Sequence, residues 1–205
     1  MDEELLRDGW NSTRYPWRFL QQSGGVPEEF EPEILYGTAY AQQLIWNHQH
    51  PKNCSEAKFL VYYHQVCGIG AQLHLLGQAL AIAMQLGRVL VSPDDDPAVL
   101  LVDPSFCPGE KKGWQCWLEN LTSCQEIHGD ILTVSGLPQA ESLEDLWRQP
   151  TRRSLIFEGT YGIQHVPDIF QDLLACSPVK RRFWFYWWRA QSVTYLLRFN
   201  AKTRL

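Results

Sequence analysis

Apolar residues along this chain follow two different rhythms. Phe59-Leu-Val-Tyr-Tyr63 and Val89-Leu-Val91 are short unbroken apolar runs, as a strand buried on both faces requires. Between them Leu73, Leu76, Leu80, Ala83 and Met84 recur at three- and four-residue steps, which predicts an amphipathic helix over 71–86. Gly87 stands where a left-handed C-terminal cap belongs, and residues 88–91 follow as the second strand. Strand, glycine-containing turn (64–70), helix and strand make one βαβ unit, with a right-handed crossover expected. Further along, 36–48 predicts a helix ended before Pro51, and Leu155-Ile-Phe157 a third strand. Residues 167–175 and 180–197 predict helices, the second with Trp184, Trp188, Val193 and Leu197 on one side. Residues 92–154, rich in Pro, Gly, Asp and Cys, predict an elaborate loop region. Residues 1–35, broken by Pro16, Gly24, Gly25 and Pro27, predict a loosely structured segment ahead of an α/β unit spanning 36–205.

Composition narrows the class. The chain has 205 residues, 45% hydrophobic, and its nine Trp, nine Phe and eight Tyr exclude a disordered polar chain. The richest apolar stretch, 73–86, is interrupted by His74, Gln78 and Gln85, so no transmembrane span is expected. The start, Met-Asp-Glu-Glu-Leu-Leu, is acidic where an export signal would be basic and then apolar. Eighteen basic and 23 acidic residues give −5, yet no acidic residue follows Asp172. Lys180, Arg181, Arg182, Arg189, Arg198, Lys202 and Arg204 are spread over that end among aromatic residues. A core-facing helix explains this distribution more simply than a nucleic-acid surface, which would need a denser basic cluster.

The six cysteines, at 54, 67, 107, 116, 124 and 176, contain no Cys-x-x-Cys pair, and His128 after Cys124 lacks a second pair of metal ligands. No metal site is expected. Three glycosylation sequons occur, at Asn11-Ser-Thr13, Asn53-Cys-Ser55 and Asn120-Leu-Thr122. Sequons and cysteines together lean towards a disulfide-containing protein of the secretory pathway, against the missing signal segment.

The glycine turn carries the clearest chemistry. Cys67-Gly-Ile-Gly70 at the end of a strand, opening into a helix, presents unpaired N–H groups at the positive end of the helix dipole. Such an arrangement suits a nucleotide diphosphate. The third glycine of a dinucleotide fingerprint is replaced by Leu73, and no P-loop lysine follows. A tight strand-to-helix turn that needs positive φ is the alternative account.

Three segments carry a resemblance. Residues 50–61 (His-Pro-Lys-Asn-Cys-Ser-Glu-Ala-Lys-Phe-Leu-Val), 67–74 (Cys-Gly-Ile-Gly-Ala-Gln-Leu-His) and 81–91 (Ala-Ile-Ala-Met-Gln-Leu-Gly-Arg-Val-Leu-Val) resemble the opening of the core alpha-1,6-fucosyltransferase family. Residues 187–198, Trp-Trp-Arg-Ala-Gln-Ser-Val-Thr-Tyr-Leu-Leu-Arg, are similar to a later helix of that family. The likeness implies the first, acceptor-side lobe of a two-lobed, GT-B-like glycosyltransferase with a partly parallel sheet. It implies inverting transfer of fucose from GDP-fucose to a glycan, an N-glycan above all, in the Golgi lumen without metal or other cofactor. Gly68, Ile69, Gly70 and Ala71 would touch the diphosphate through their backbone, where dipoles stabilise the charge developing on the leaving group. It also implies a Cys54–Cys124 disulfide. Cys107 and Cys116 are then a second pair, with Cys67 and Cys176 free or joined.

Two departures accompany the likeness. Ala71 stands where family members often carry a second loop cysteine, and the family's diphosphate-holding arginine motif and base do not occur before Leu205. On that reading no catalytic residue lies in this chain, and an apolar face around Trp184, Trp188 and Leu197 would invite self-association or a partner. A non-catalytic binding or scaffold protein on a transferase lobe is the alternative function. Three weaker constellations remain: His74, Glu158 and His165 as an acid/base set, Glu158-Gly-Thr-Tyr161 lining a cleft, and Asp94-Asp-Asp96, expected to be a solvated turn.

Overall fold

The computed structural model describes residues 36–93, 96, 113–136, 154–157 and 165–203. The expectation for 1–35 lies outside the described residues. The elements are α1 (Thr38–Gln49), β1 (Phe59–Tyr63), α2 (Ile69–Gln85), β2 (Val89–Val91), β3 (Ile131–Gly136), β4 (Ser154–Phe157), α3 (Gln171–Ala175) and α4 (Trp184–Leu196). Single 3-10 turns precede β1, α3 and α4, and another spans Gly113–Cys116.

The fold is α/β. Among the described residues four strands form one parallel sheet in the order β2-β1-β3-β4. Leu60 lies opposite Leu90 on one side and Leu132 on the other, so β1 is a central strand, and β2 is an edge among the described strands. The βαβ unit forms with β1 and β2 parallel, and Gly87 has φ +61°, as the cap requires. β3 corrects the expected loop over 92–154. Six residues of ordinary strand type are inconspicuous inside a Pro/Gly/Cys-rich stretch, and only pairing with β1 and β4 makes them a strand.

Alternation divides the sheet's two faces. Leu60, Tyr62, Leu90 and Val134 join the core made with the helices, whereas Phe59, Val61, Val89 and Val91 pack against Cys124, Cys54, Ala57 and Ile127. A Cys54–Cys124 disulfide pins this second cover, as the resemblance implied. The edge is closed from within the chain: the buried Gln49 carboxamide donates to Leu90 O (3.0 Å) and accepts from Leu90 N (2.9 Å). A side chain thus takes the place of a fifth strand at that position.

Helix α4 departs from its predicted face. Trp187, Trp188, Gln191, Ser192, Tyr195 and Leu196 are buried, and Trp184, Val193 and Leu197 are half-buried. The helix packs against both α1 and α2, so two neighbouring stripes are covered. One of them is polar: Gln42 donates to Gln191 O (2.8 Å), and Gln191 donates to Thr38 Oγ1 (2.8 Å). Counting apolar residues alone misses such a seam. The bare apolar face expected around Trp184, Trp188 and Leu197 is absent, because Trp188 is wholly buried and its neighbours pack on the same core. Self-association therefore loses its stated basis.

Candidate functional site at the end of β1

From β1 the chain crosses to β2 on one side, and β3 pairs on the other. The strand order therefore reverses at β1, and the crevice above the carboxyl ends of β1 and β3 is where open parallel sheets bind ligands. The loop 64–68 and the first turn of α2 stand at that crevice. Gly68, Ile69, Gly70 and Ala71 are all exposed, no side chain caps the helix, and its first turn carries no acidic residue. The N–H groups of 69–71 precede the first intrahelical bond, which runs from Gln72 N to Gly68 O (3.0 Å).

Neither glycine is there for its conformation. Gly68 is extended (φ −60°, ψ 151°), Gly70 is helical, and the positive-φ glycines among the described residues are Gly37, Gly87 and Gly129. The tight turn needing positive φ is thus corrected. Among the described residues, nothing beyond the glycine's own chain neighbours and helix backbone lies within 4 Å of a Cβ built on Gly68 or Gly70. Backbone and packing leave both positions open to larger residues.

The loop is held from behind by groups that no motif marked. His64 follows β1 directly and its side chain is fully buried. Its backbone N–H (2.6 Å) and Nδ1 (2.8 Å) both reach Asp96 Oδ2, and Trp114 Nε1 donates to its Nε2 (2.8 Å). Indole N–H is a donor only, so Nε2 must accept and the proton sits on Nδ1. The imidazole is neutral. Burial pushes its pKa below the ordinary value, against the opposing pull of Asp96. Asp96 is thus buried, which corrects the solvated-turn expectation there; Asp94 and Asp95 lie outside the described residues. Tyr62 packs edge-on against His64 (5.0 Å), and burial raises its phenol well above the usual range. Gln72 Nε2 then ties Gln65 O (2.9 Å) to α2, fixing the loop's midpoint.

No protein-family model matches the chain, and no curated protein matches it.

The other candidates do not converge. His74 Nδ1 accepts from Arg189 Nε (3.3 Å) near the start of α2, whereas His165 pairs with Gln85 at its far end (3.1 Å). Eleven residues of helix put about 16 Å between those two points, so they form no acid/base set. Glu158 and the 158–161 segment lie outside the described residues. Cys67 is free, its thiol pushed up by burial, and Cys176 is free and exposed. Cys116 is disulfide-bonded; Cys107, its expected partner, lies outside the described residues. Among the described residues no His/Cys/Asp/Glu group could hold a metal ion, and no helix is long and apolar enough to cross a membrane.

A second concavity of about 370 Å³ opens behind Trp114, beyond the end of β2. Ser92, Glu119, Asn120 and Gln125 line it, together with Cys124 and Ile127 of the second cover. No sequence signal marks His64, Asp96 and Trp114 as partners, since 32 and 50 residues separate His64 from the other two. A histidine directly after a buried strand is the one local hint.

Proposed function

We propose that residues 68–71 cradle the diphosphate of a nucleotide sugar through the backbone N–H groups of Ile69, Gly70 and Ala71. The supporting observation is that Gly68 and Gly70 need no positive φ and meet no packed neighbour within 4 Å among the described residues, at a helix start without a side-chain cap, exposed beside the sheet's reversal point. Gly68 is the N-cap, where glycine is ordinary, but Gly70 lies within the first turn, where glycine is otherwise a poor choice and close approach of a ligand to the backbone gives it a use. The likeness of 50–61, 67–74 and 187–198 to core alpha-1,6-fucosyltransferases supplies the finer reading. The chain is the first lobe of a GT-B-like transferase of the Golgi lumen, using GDP-fucose as donor and an N-glycan as acceptor. As the acceptor hydroxyl bonds to the fucose anomeric carbon, the bond to GDP breaks and the diphosphate gains charge. Three aligned N–H dipoles stabilise that charge more than the ground state.

The test is an amide NMR titration of the chain with GDP and, separately, with guanosine. GDP should shift the amides of Ile69, Gly70 and Ala71, whereas guanosine should leave them in place. Gly70→Val should keep the thermal melt and weaken GDP at least tenfold, the equivalent of about 1.4 kcal/mol. Equal GDP affinity in parent and variant would reduce the loop to a turn.

A further inference from the structure

We propose that Asn120, which lines the 370 Å³ concavity beside Trp114, carries an N-linked glycan. Three independent observations meet at this residue. The first is chemical: Asn120-Leu-Thr122 is an acceptor sequon. The second is the redox state. Cys54 and Cys124 are joined across 70 residues and Cys116 is also bonded, a pattern made where the secretory pathway oxidises thiols. The third is local geometry. Asn120 is exposed, so a sugar on Nδ2 points to solvent, and its carboxamide makes no hydrogen bond to any described residue that the sugar would displace.

Asn53 provides the internal contrast. Its Nδ2 donates to Glu56 (2.8 Å), and its Oδ1 accepts from Ser55 N (3.1 Å) and from the sequon hydroxyl, Ser55 Oγ (2.8 Å). Its middle residue, Cys54, is itself in the disulfide. The nitrogen of that carboxamide is spent on Glu56 and its oxygen on Ser55, whereas the Asn120 carboxamide makes no hydrogen bond among the described residues. The third sequon, at Asn11, lies outside the described residues.

In the transfer, Asn120 Nδ2 bonds to the anomeric carbon of a lipid-diphosphate-linked oligosaccharide. The lipid diphosphate leaves with the bonding electron pair, and one amide proton is lost to base. The folded backbone resists this step. Asn120 O accepts from Arg198 Nη2 (2.9 Å), Leu121 O accepts from Tyr195 OH (2.7 Å), and Thr122 Oγ1 accepts from Cys124 N (3.1 Å). The sequon must therefore be read before this turn closes. Closure of Cys54–Cys124, two residues beyond Thr122, competes with glycosylation.

The experiment directs the full chain into the secretory pathway of cultured cells behind a cleavable leader. Peptide-N-glycosidase treatment in heavy-oxygen water then tags each glycosylated asparagine for peptide mapping, with a non-reducing digest of the same sample. We expect the tag at Asn120, loss of one glycan's mass in Asn120→Gln, and at least twofold higher occupancy of Asn120 in Cys54→Ser. An untagged Asn120 in the secreted parent overturns the proposal, whatever the variant shows. So does a parent in which Cys54 and Cys124 are unpaired, since the oxidising premise then fails. Unchanged occupancy in Cys54→Ser overturns the competition between disulfide closure and transfer.

Discussion

Removing the indole N–H behind the glycine loop isolates the pairing that sets His64. In Trp114→Phe the Nε2 of His64 loses its donor, while Asp96 continues to hold the backbone N–H and Nδ1. A buried acceptor left unpaired costs about 1–3 kcal/mol. The smaller ring at a site only 4% exposed leaves a void that adds about 1 kcal/mol. Together they predict a loss of about 2–4 kcal/mol at neutral pH, measured by urea unfolding. The pH dependence carries the sharper signature. In the parent, burial holds the folded pKa of His64 below the ordinary value, and a proton on Nε2 would also break the bond from Trp114, so acid destabilises the fold. In the variant Nε2 is free to take a proton beside Asp96, so that penalty falls. The gap between the two proteins should therefore narrow as pH drops from about 7.5 to 5.5. Imidazole ¹⁵N shifts should show the Nδ1–H tautomer in the parent. A parent with the proton on Nε2, or a gap that widens in acid, would refute the assignment.

Three other outcomes follow from named contacts. Gly77→Ala places a methyl 2.6 Å from Ser192 Oγ where Trp188 Nε1 already donates to Gly77 O, so about 1–3 kcal/mol should be lost in thermal unfolding and largely regained by Ser192→Gly. Cys54→Ser opens a link across 70 residues and should lower unfolding free energy by about 4 kcal/mol in the chain-entropy model, whereas Cys176→Ser should change nothing measurable. Burial lowers the pKa of His48, His50, His64 and His165 in the fold. Unfolded chains bind these protons at about 6.5, so stability is full above that value and Tm should fall as pH drops below it; a Tm flat down to pH 5 would contradict their burial as neutral rings.

How much of this was legible in the chain depends on how local each cause is. β1, α2, Gly87 and β2 rest on neighbouring residues: an unbroken apolar run, a helical period, one left-handed cap. Those signals lie within a few turns, and the βαβ unit with its glycine loop was visible from them. β3 was not, because six ordinary residues become a strand only between two partners. Nor was the buried stripe of α4, where Gln191 and Ser192 face the core because Gln42 and Gly77 meet them from other helices. Asp96 shows the limit most plainly. By its neighbours it belongs to a solvated acidic turn, yet its carboxylate is buried against His64, 32 residues earlier. Local pattern determined which segments fold and where an uncapped helix start would be exposed. Which charged and polar groups stand behind that start was decided only in three dimensions, because a buried carboxylate needs donors that the chain supplies from far away.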